Sequence, residues 1–329
     1  MHPEDELTLW GHRFRTANRR DGKAPAGARL AEGRLPSRAQ EVLGRVGFGP
    51  DTLAGGVDLA HLTDYVNLPL DPRRLRVVAT IHDVLFRELP RCYTRDMRRG
   101  LEAVTTRLVR RAARLIVPSS RARTALLEHY DVTPDRIDVI PHGVTGLPDA
   151  KPAREYGTDY LLFVGTLEPR KNLARLLEAH ARLATRVPLV VVGARGWLDD
   201  DLVDALGTRA QVHWEGAVDD ARLAALYRGA RLLAYPSLGE GFGLPVLEAM
   251  AIGLPVVVGR ATAPADVAAD AGLAVDPHDV DAIAGALTRL LDDPVLARTL
   301  GERGRRRAAD FTWERAARST RVTYERALS

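Results

Sequence analysis

Short runs of continuous apolar residues recur along this chain, and between them lie stretches whose apolar residues return every three to four positions. Arg76–Ile81 (RVVATI), Tyr160–Val164 (YLLFV), Leu189–Val192 (LVVV), Leu232–Tyr235 (LLAY) and Pro255–Val258 (PVVV) are such runs. A run of this length suits a strand covered on both faces, and the 3.6-residue period suits the helix that covers it. Strand and helix in alternation point to parallel sheets, so the expected fold class is α/β. With 329 residues, 46% of them hydrophobic, the chain can bury one or two sizeable cores, and two domains of roughly 150 residues are the natural expectation.

The first half reads as a strand at Leu7–Trp10, a long loop over 11–36 and a Ser-capped helix at Ser37–Val46. Helices are expected at Thr94–Ala113 and Ser119–Tyr130, and strands at Leu115–Val117 and Ile137–Ile140. Thr145–Gly157 carries the Pro, Gly and Asp residues of a linker. The second half restarts, with a helix from Leu173 to about Thr185, a strand at Val212–Trp214, and a helix to Arg228 capped by Asp219 or Asp220. It closes with helices at Val280–Leu291, Val295–Asp310 and, behind a Thr312 cap, Trp313–Ala327. The expected division is 1–147, 148–311 and a final helix at 312–329.

Two segments carry chemistry. In EGFGLPVLE a glycine turn runs into a helix start, with Glu240 and Glu248 framing it. Free backbone N–H groups and the positive end of the helix dipole make such a turn an anion site, reached through Gly241, Phe242, Gly243 and Leu244. Pro245 suits the first helical turn, where its missing N–H costs nothing. A solvated loop–helix junction is the plain alternative, and Phe242 reads equally well as core. In GTLEPRKN, Gly165 to Asn172, a strand ends and a helix begins, and Arg170 and Lys171 place two cations beside the helix start. Fixed cations there would stabilise a departing diphosphate; a solvated helix end is the other reading. Ser237, in PSLGEG, is a candidate donor to nucleotide or phosphate, or a turn-stabilising serine. His82 ends the clearest strand of the first half, where it could donate to a sugar hydroxyl or steady a phosphate. Asp83 reads as a cap, His61 as an acceptor-side or structural residue, and His142 as closing a turn.

EGFGLPVLEAMAIGLPVVV resembles the signature of the retaining, nucleotide-sugar-dependent glycosyltransferases of family 4, whose two glutamates are also separated by seven residues. The resemblance implies two Rossmann-like domains facing a cleft, the glycosyltransferase-B fold, with the final helix returning to the first domain. It implies that Glu240 binds sugar hydroxyls, Glu248 the ribose hydroxyls, and Arg170, Lys171 and the turn amides the diphosphate. His82 would lie near the donor sugar. Catalysis would retain configuration without a metal, and the segments GTLEPRKN and TIHD are most similar to those of mannosyltransferase-like members making surface polysaccharide, so GDP-mannose is the favoured donor. The family's first strand, glycine loop and helix have no counterpart before Leu7; the expectation is a truncated N-terminal domain, with Met1 an internal methionine.

Composition narrows the rest. Cys92 stands alone, which excludes an internal disulfide and fits a reducing cytosol. MHPEDELTLW lacks the features of a signal peptide, and no apolar run is long enough to span a bilayer. The net charge of +4, mostly arginine against acid, suits an anionic ligand or a peripheral contact with the inner membrane surface. Zinc spacings and aromatic–basic RNA motifs are lacking, so nucleic acid is not an expected partner. Asp199/Asp201 and Asp279/Asp281 read as helix starts rather than metal ligands. A nucleotide-sugar donor and a saccharide or lipid-linked acceptor are the expected partners, with no cofactor besides the donor. Two alternatives stay open: a nucleotide-sugar-binding remnant without turnover, and a sugar-nucleotide epimerase. A dehydrogenase is disfavoured, because no strand runs into G-x-G-x-x-G with a downstream acid.

Overall fold

In the computed structural model the residues described are 6–12, 28–33, 56–64, 75–157 and 159–329. They form two parallel sheets of an α/β protein and a short parallel ladder. The ladder pairs β1 (Leu7–His12) with β2 (Ala28–Gly33), Leu7 opposite Ala28. The loop expected over 11–36 therefore contains a strand. Its sequence, ARLAEG, has little strand propensity of its own and is held by pairing. The helix expected at Ser37–Val46 lies outside the described residues.

The N-terminal sheet runs β3 (Leu59–Leu62), β4 (Arg76–Thr80), β5 (Arg114–Val117), β6 (Ile137–Val139) in that spatial order. One face carries Val77, Ala79, Leu115 and Val117 against Leu108, Val109 and Leu126 of the helices Arg95–Arg111 and Ser120–His129. Alternate residues Val78 and Ile116 point the other way, onto Ala327 of the last helix, Trp313–Leu328. That helix is fastened by hydrogen bonds from Thr323 and Arg326 to Asp138, at 2.9 and 3.0 Å.

The C-terminal sheet holds β7 (Leu161–Val164), β8 (Leu189–Val192), β9 (Val212–Gly216), β10 (Leu232–Tyr235), β11 (Val256–Gly259) and β12 (Gly272–Val275). The spatial order is β12-β11-β10-β7-β8-β9. Numbered within the sheet this is 3-2-1-4-5-6, the doubly wound Rossmann order. Both faces are covered: Leu161, Phe163 and Val191 pack on the helices Leu173–Ala181 and Val280–Asp292, while Leu162, Val190 and Leu233 pack on Asp220–Gly229 and Leu244–Ala251. The helix expected to reach Thr185 stops at Ala181. His180 turns the chain there by bonding through Nε2 to the Val187 carbonyl at 2.6 Å.

Candidate active site

β7 and β10 are hydrogen-bonded neighbours, yet the chain leaves β7 towards β8 and β10 towards β11, in opposite directions across the sheet. The loops therefore diverge at the carboxyl ends of these two strands, where open α/β sheets form their ligand crevice. GTLEPRKN leaves β7 and PSLGEGFG leaves β10, so the topology brings the two segments singled out in the sequence side by side. A backbone bond from Leu238 N to the Arg170 carbonyl, 2.8 Å, joins them. Asn172, left-handed at φ 63°, donates through Nδ2 to the carbonyls of Pro236 and Pro277 at 2.9 and 2.6 Å.

The side chains converge on Glu240, whose side chain is only 8% exposed. Arg170 Nη1 donates to its Oε2 at 2.6 Å, and Lys171 Nζ reaches its Oε1 at 2.6 Å. The Tyr235 hydroxyl donates to Oε1 at 3.0 Å and accepts from Lys171 at 2.8 Å. A carboxylate offers about four lone-pair positions; three are engaged here, which leaves one on Oε2. Burial works against the charge of Glu240, but Lys171 and Arg170 hold its carboxyl below the usual range. On its other side Arg170 Nη2 meets Glu168 Oε1 at 2.7 Å. Glu168 is 2% exposed, its Oε2 has no partner among the described residues, and burial pushes its carboxyl up. Gly165 supports this arrangement from below: a Cβ there would touch the Lys171 methylenes at 3.5 Å.

Within the glycine turn, Gly243 alone among its glycines has a positive φ, 112°, and a Cβ on it would press Pro264 at 2.8 Å. Gly239 and Gly241 are glycines for another reason. A Cβ at Gly239 would lie 2.7 Å from Leu85, and one at Gly241 would collide with the His82 carbonyl oxygen. The turn thus lies flush against the N-terminal domain. Among the described residues, the amides of Gly241, Phe242, Gly243 and Leu244 find no acceptor within the protein. Leu244 is 39% exposed at the helix start, whereas Phe242 is core, packed edge-on to His142 and Phe311. Glu248 Oε2 accepts from the Tyr227 hydroxyl at 2.9 Å, and burial raises its carboxyl.

Ser237 departs from its expected place. It is fully enclosed, and its Oγ meets no partner among the described residues, so the hydroxyl is not offered to the crevice. His61 takes the structural of its two readings: its ring nitrogens are taken by the Tyr324 hydroxyl at 2.7 Å and Thr80 Oγ1 at 2.8 Å, so it fastens the last helix. His82 does stand at the mouth of its strand. Its Nε2 donates to the Thr63 carbonyl at 2.9 Å, so Nδ1 is an acceptor in the neutral ring and a donor only when charged. Asp83 accepts from Leu85 N at 3.0 Å, and burial raises its carboxyl. His142 lies between domains, 5.6 Å from the His82 ring and 6.0 Å from Trp313.

Asp279 caps its helix, accepting from the amides of Asp281 and Ala282, and Asp199 pairs with Arg195. Among the described residues no cluster of three His, Cys, Asp or Glu could hold a metal ion. Likewise, no helix there is long and apolar enough to cross a membrane.

Sequence reasoning passed over Glu168, Tyr235 and Ser119. Glu168 stands inside GTLEPRKN, where an acid beside two cations reads as part of a solvated helix end. Tyr235 could have been flagged as the polar tip of an apolar strand. Ser119 signals only a helix cap, and its second contact, with Gly241, is 122 residues away.

A family model described as glycosyl transferases group 1 matches residues 149–307, and one described as glycosyltransferase family 4 matches residues 4–145. The O-antigen chain mannosyltransferase B of Escherichia coli is 35% identical over 288 residues, covering 81% of this chain and 76% of the relative. The MMP alpha-(1->4)-mannosyltransferase of Mycolicibacterium hassiacum is 34% identical over 272 residues, covering 77% and 66%. The sucrose-phosphate synthase of Thermosynechococcus elongatus superposes with a TM-score of 0.76 at 22% identity, covering 97% of this chain and 88% of that one.

Proposed function

Because this chain belongs to the group 1, family 4 glycosyltransferases, we propose that it moves a sugar from a nucleoside diphosphate sugar to a saccharide or lipid-linked acceptor, with retention and without a metal. GDP-mannose is the proposed donor, in keeping with the mannosyltransferase names of two relatives. The observation that carries the proposal is the pair Arg170 and Lys171, oriented by Glu240 and Glu168 at the switch point of the sheet.

In this reading the diphosphate sits on Arg170, Lys171 and the amides of Gly243 and Leu244. Charge that builds on the leaving phosphate is met by cations already in place, so no reorganisation is needed as the bond breaks. Those two cations also take the role that Mg²⁺ would otherwise play. The remaining lone pair on Glu240 Oε2 accepts from one sugar hydroxyl, and the unengaged oxygen of Glu248 accepts from the ribose. Glu240 is too occupied by its ion pairs to serve as a nucleophile. The acceptor hydroxyl attacks from the face that the diphosphate leaves, and the departing phosphate takes its proton. His82 offers Nδ1 to the donor sugar. Exposed Arg95, Arg98, Arg99, Arg110 and Arg111 on the first-domain helix suit a peripheral contact with an anionic inner-membrane surface.

A panel of GDP- and UDP-sugars, offered with and without saccharide acceptors, tests the proposal, with Glu240→Ala as the control. Transfer from GDP-mannose, retained anomeric configuration in the product and turnover that survives EDTA are the expected results. Sugar conversion without an acceptor would make the protein an epimerase, and binding without any turnover would make it a remnant.

A further inference from the structure

We propose that Ser119 is a positioning residue that holds the donor-side glycine turn in place from the opposite domain; the inference rests on the donor reading above. Ser119 lies two residues beyond β5 and caps the helix Ser120–His129, its Oγ accepting from Ala122 N at 3.1 Å. The same hydroxyl donates to the Gly241 carbonyl at 2.8 Å. A serine hydroxyl has one proton and two acceptor positions, so the cap uses an acceptor position and the proton is left for Gly241. Ser119 is 9% exposed, which shields the bond from competing water.

The consequence follows from peptide geometry. In a planar trans peptide the C=O and the next N–H point in opposite directions. Fixing the Gly241 carbonyl towards Ser119 therefore aims the Phe242 N–H away from it, in the same turn as the Gly243 and Leu244 amides of the donor reading, and that amide finds no acceptor among the described residues. The rest of the turn is held from both sides. Gly241 has no room for a Cβ against the His82 carbonyl, and the Phe242 ring packs on His142 at 5.1 Å and Phe311 at 5.9 Å. The nearby Arg121–Asp266 pair, 43% and 50% exposed, also links the domains but is too solvated to add much.

Three substitutions separate the cap from the latch. Ser119→Asp keeps an N-cap acceptor but has no proton for Gly241 and sets a carboxylate against its carbonyl. Ser119→Ala loses both, and Ser119→Thr keeps both. Affinity for GDP and UDP is read by calorimetry, donor KM and kcat by steady-state rates, and stability by thermal unfolding. Ser119→Ala is expected to weaken nucleoside diphosphate binding about 3- to 10-fold, the worth of one hydrogen bond, and to lower the unfolding temperature. Ser119→Asp is expected to weaken binding at least as much while unfolding near the wild-type temperature, and Ser119→Thr to recover most of the affinity. If the wild type binds GDP or UDP and Ser119→Asp binds it equally well with unchanged donor KM, the latch is wrong and the donor reading stands. If the wild type binds neither nucleotide, the donor reading fails and takes the latch with it.

Discussion

Lys171→Met is the most informative single change, because it separates what the cation contributes to folding from what it contributes to turnover. The Lys171 side chain is 10% exposed, with Nζ 2.6 Å from Glu240 Oε1 and 4.0 Å from Glu168 Oε1. Methionine keeps the stem that crosses Gly165 and drops the charge. Glu240 and Glu168 then share Arg170 alone. Removing one partner of a buried pair typically costs about 3–5 kcal/mol; Arg170 still holds Glu240 Oε2 at 2.6 Å, so the lower end, about 3 kcal/mol, is expected in urea unfolding. Glu240 gives the pH signature. Its folded carboxyl lies below the ordinary 4.5, so its contribution is present above that value and lost as pH falls through the folded one. In Lys171→Met the loss should set in at higher pH. At saturating donor, kcat should fall about 10²- to 10³-fold, the cost of one donor aimed at developing charge. The double variant Lys171→Met/Glu240→Gln decides the matter. Neutralising both partners should recover most of the stability, since a charge is no longer left unpaired, while turnover stays low. Full kcat in Lys171→Met, or turnover regained in the double variant, would refute the assignment of Lys171 to the leaving group.

Other consequences can be checked with the same assays. Gly241→Ala forces a methyl into the His82 carbonyl, so donor KM should rise sharply while the C-terminal domain unfolds as before; an unchanged KM would mean that the turn does not need its close approach. Burial lowers His61 and His142 to about 4, with the charge of His82 a lesser cause. Their ordinary value is 6.5, so between 6.5 and 4 the unfolded chain binds more protons and stability should fall as pH drops through that window. His61→Asn should flatten the slope in urea titrations across pH, and an unaltered slope would contradict the buried neutral ring. Glu248→Ala should raise donor KM with little change in kcat, the mark of binding shared by ground and transition states; a fall in kcat alone would place Glu248 nearer the reacting atoms.

What was legible in the sequence is what local physics decides. Leu189–Val192 and Leu232–Tyr235 have the strand bounds read from their apolar runs. Asp219, Asp279 and Thr312 cap the helices they precede, because a short polar side chain before an apolar period has few better uses. The strand at Ala28–Gly33 was illegible because nothing in ARLAEG prefers it; its partner at Leu7–His12 supplies the reason. His61 was illegible in a different way, since Tyr324, which makes it structural, is 263 positions away. Glu168 was hidden by its neighbours. An acid beside Arg170 and Lys171 looks like a solvated helix end until burial and the 2.7 Å pair to Arg170 give it a direction.

The glycines of GEGFG show how one residue type serves two demands that the sequence cannot separate. Gly243 answers to its own backbone, at φ 112°, and a left-handed turn of this kind is visible in the string. Gly239 and Gly241 answer to Leu85 and His82 of the other domain. The second demand has a mechanistic corollary. If the glycine turn holds the donor as proposed, its contact with Leu85, His82 and Ser119 of the N-terminal domain ties the donor side of the crevice to the position of the other side. Separation of the domains would release the Ser119–Gly241 bond and the aim of the Phe242 amide together, whereas Arg170, Lys171 and Glu240 all belong to the C-terminal sheet and would stay paired. Donor contacts made by the cations should then persist in an opened molecule, and those made by the turn should not, so variants of the two groups should differ in how strongly they depend on acceptor.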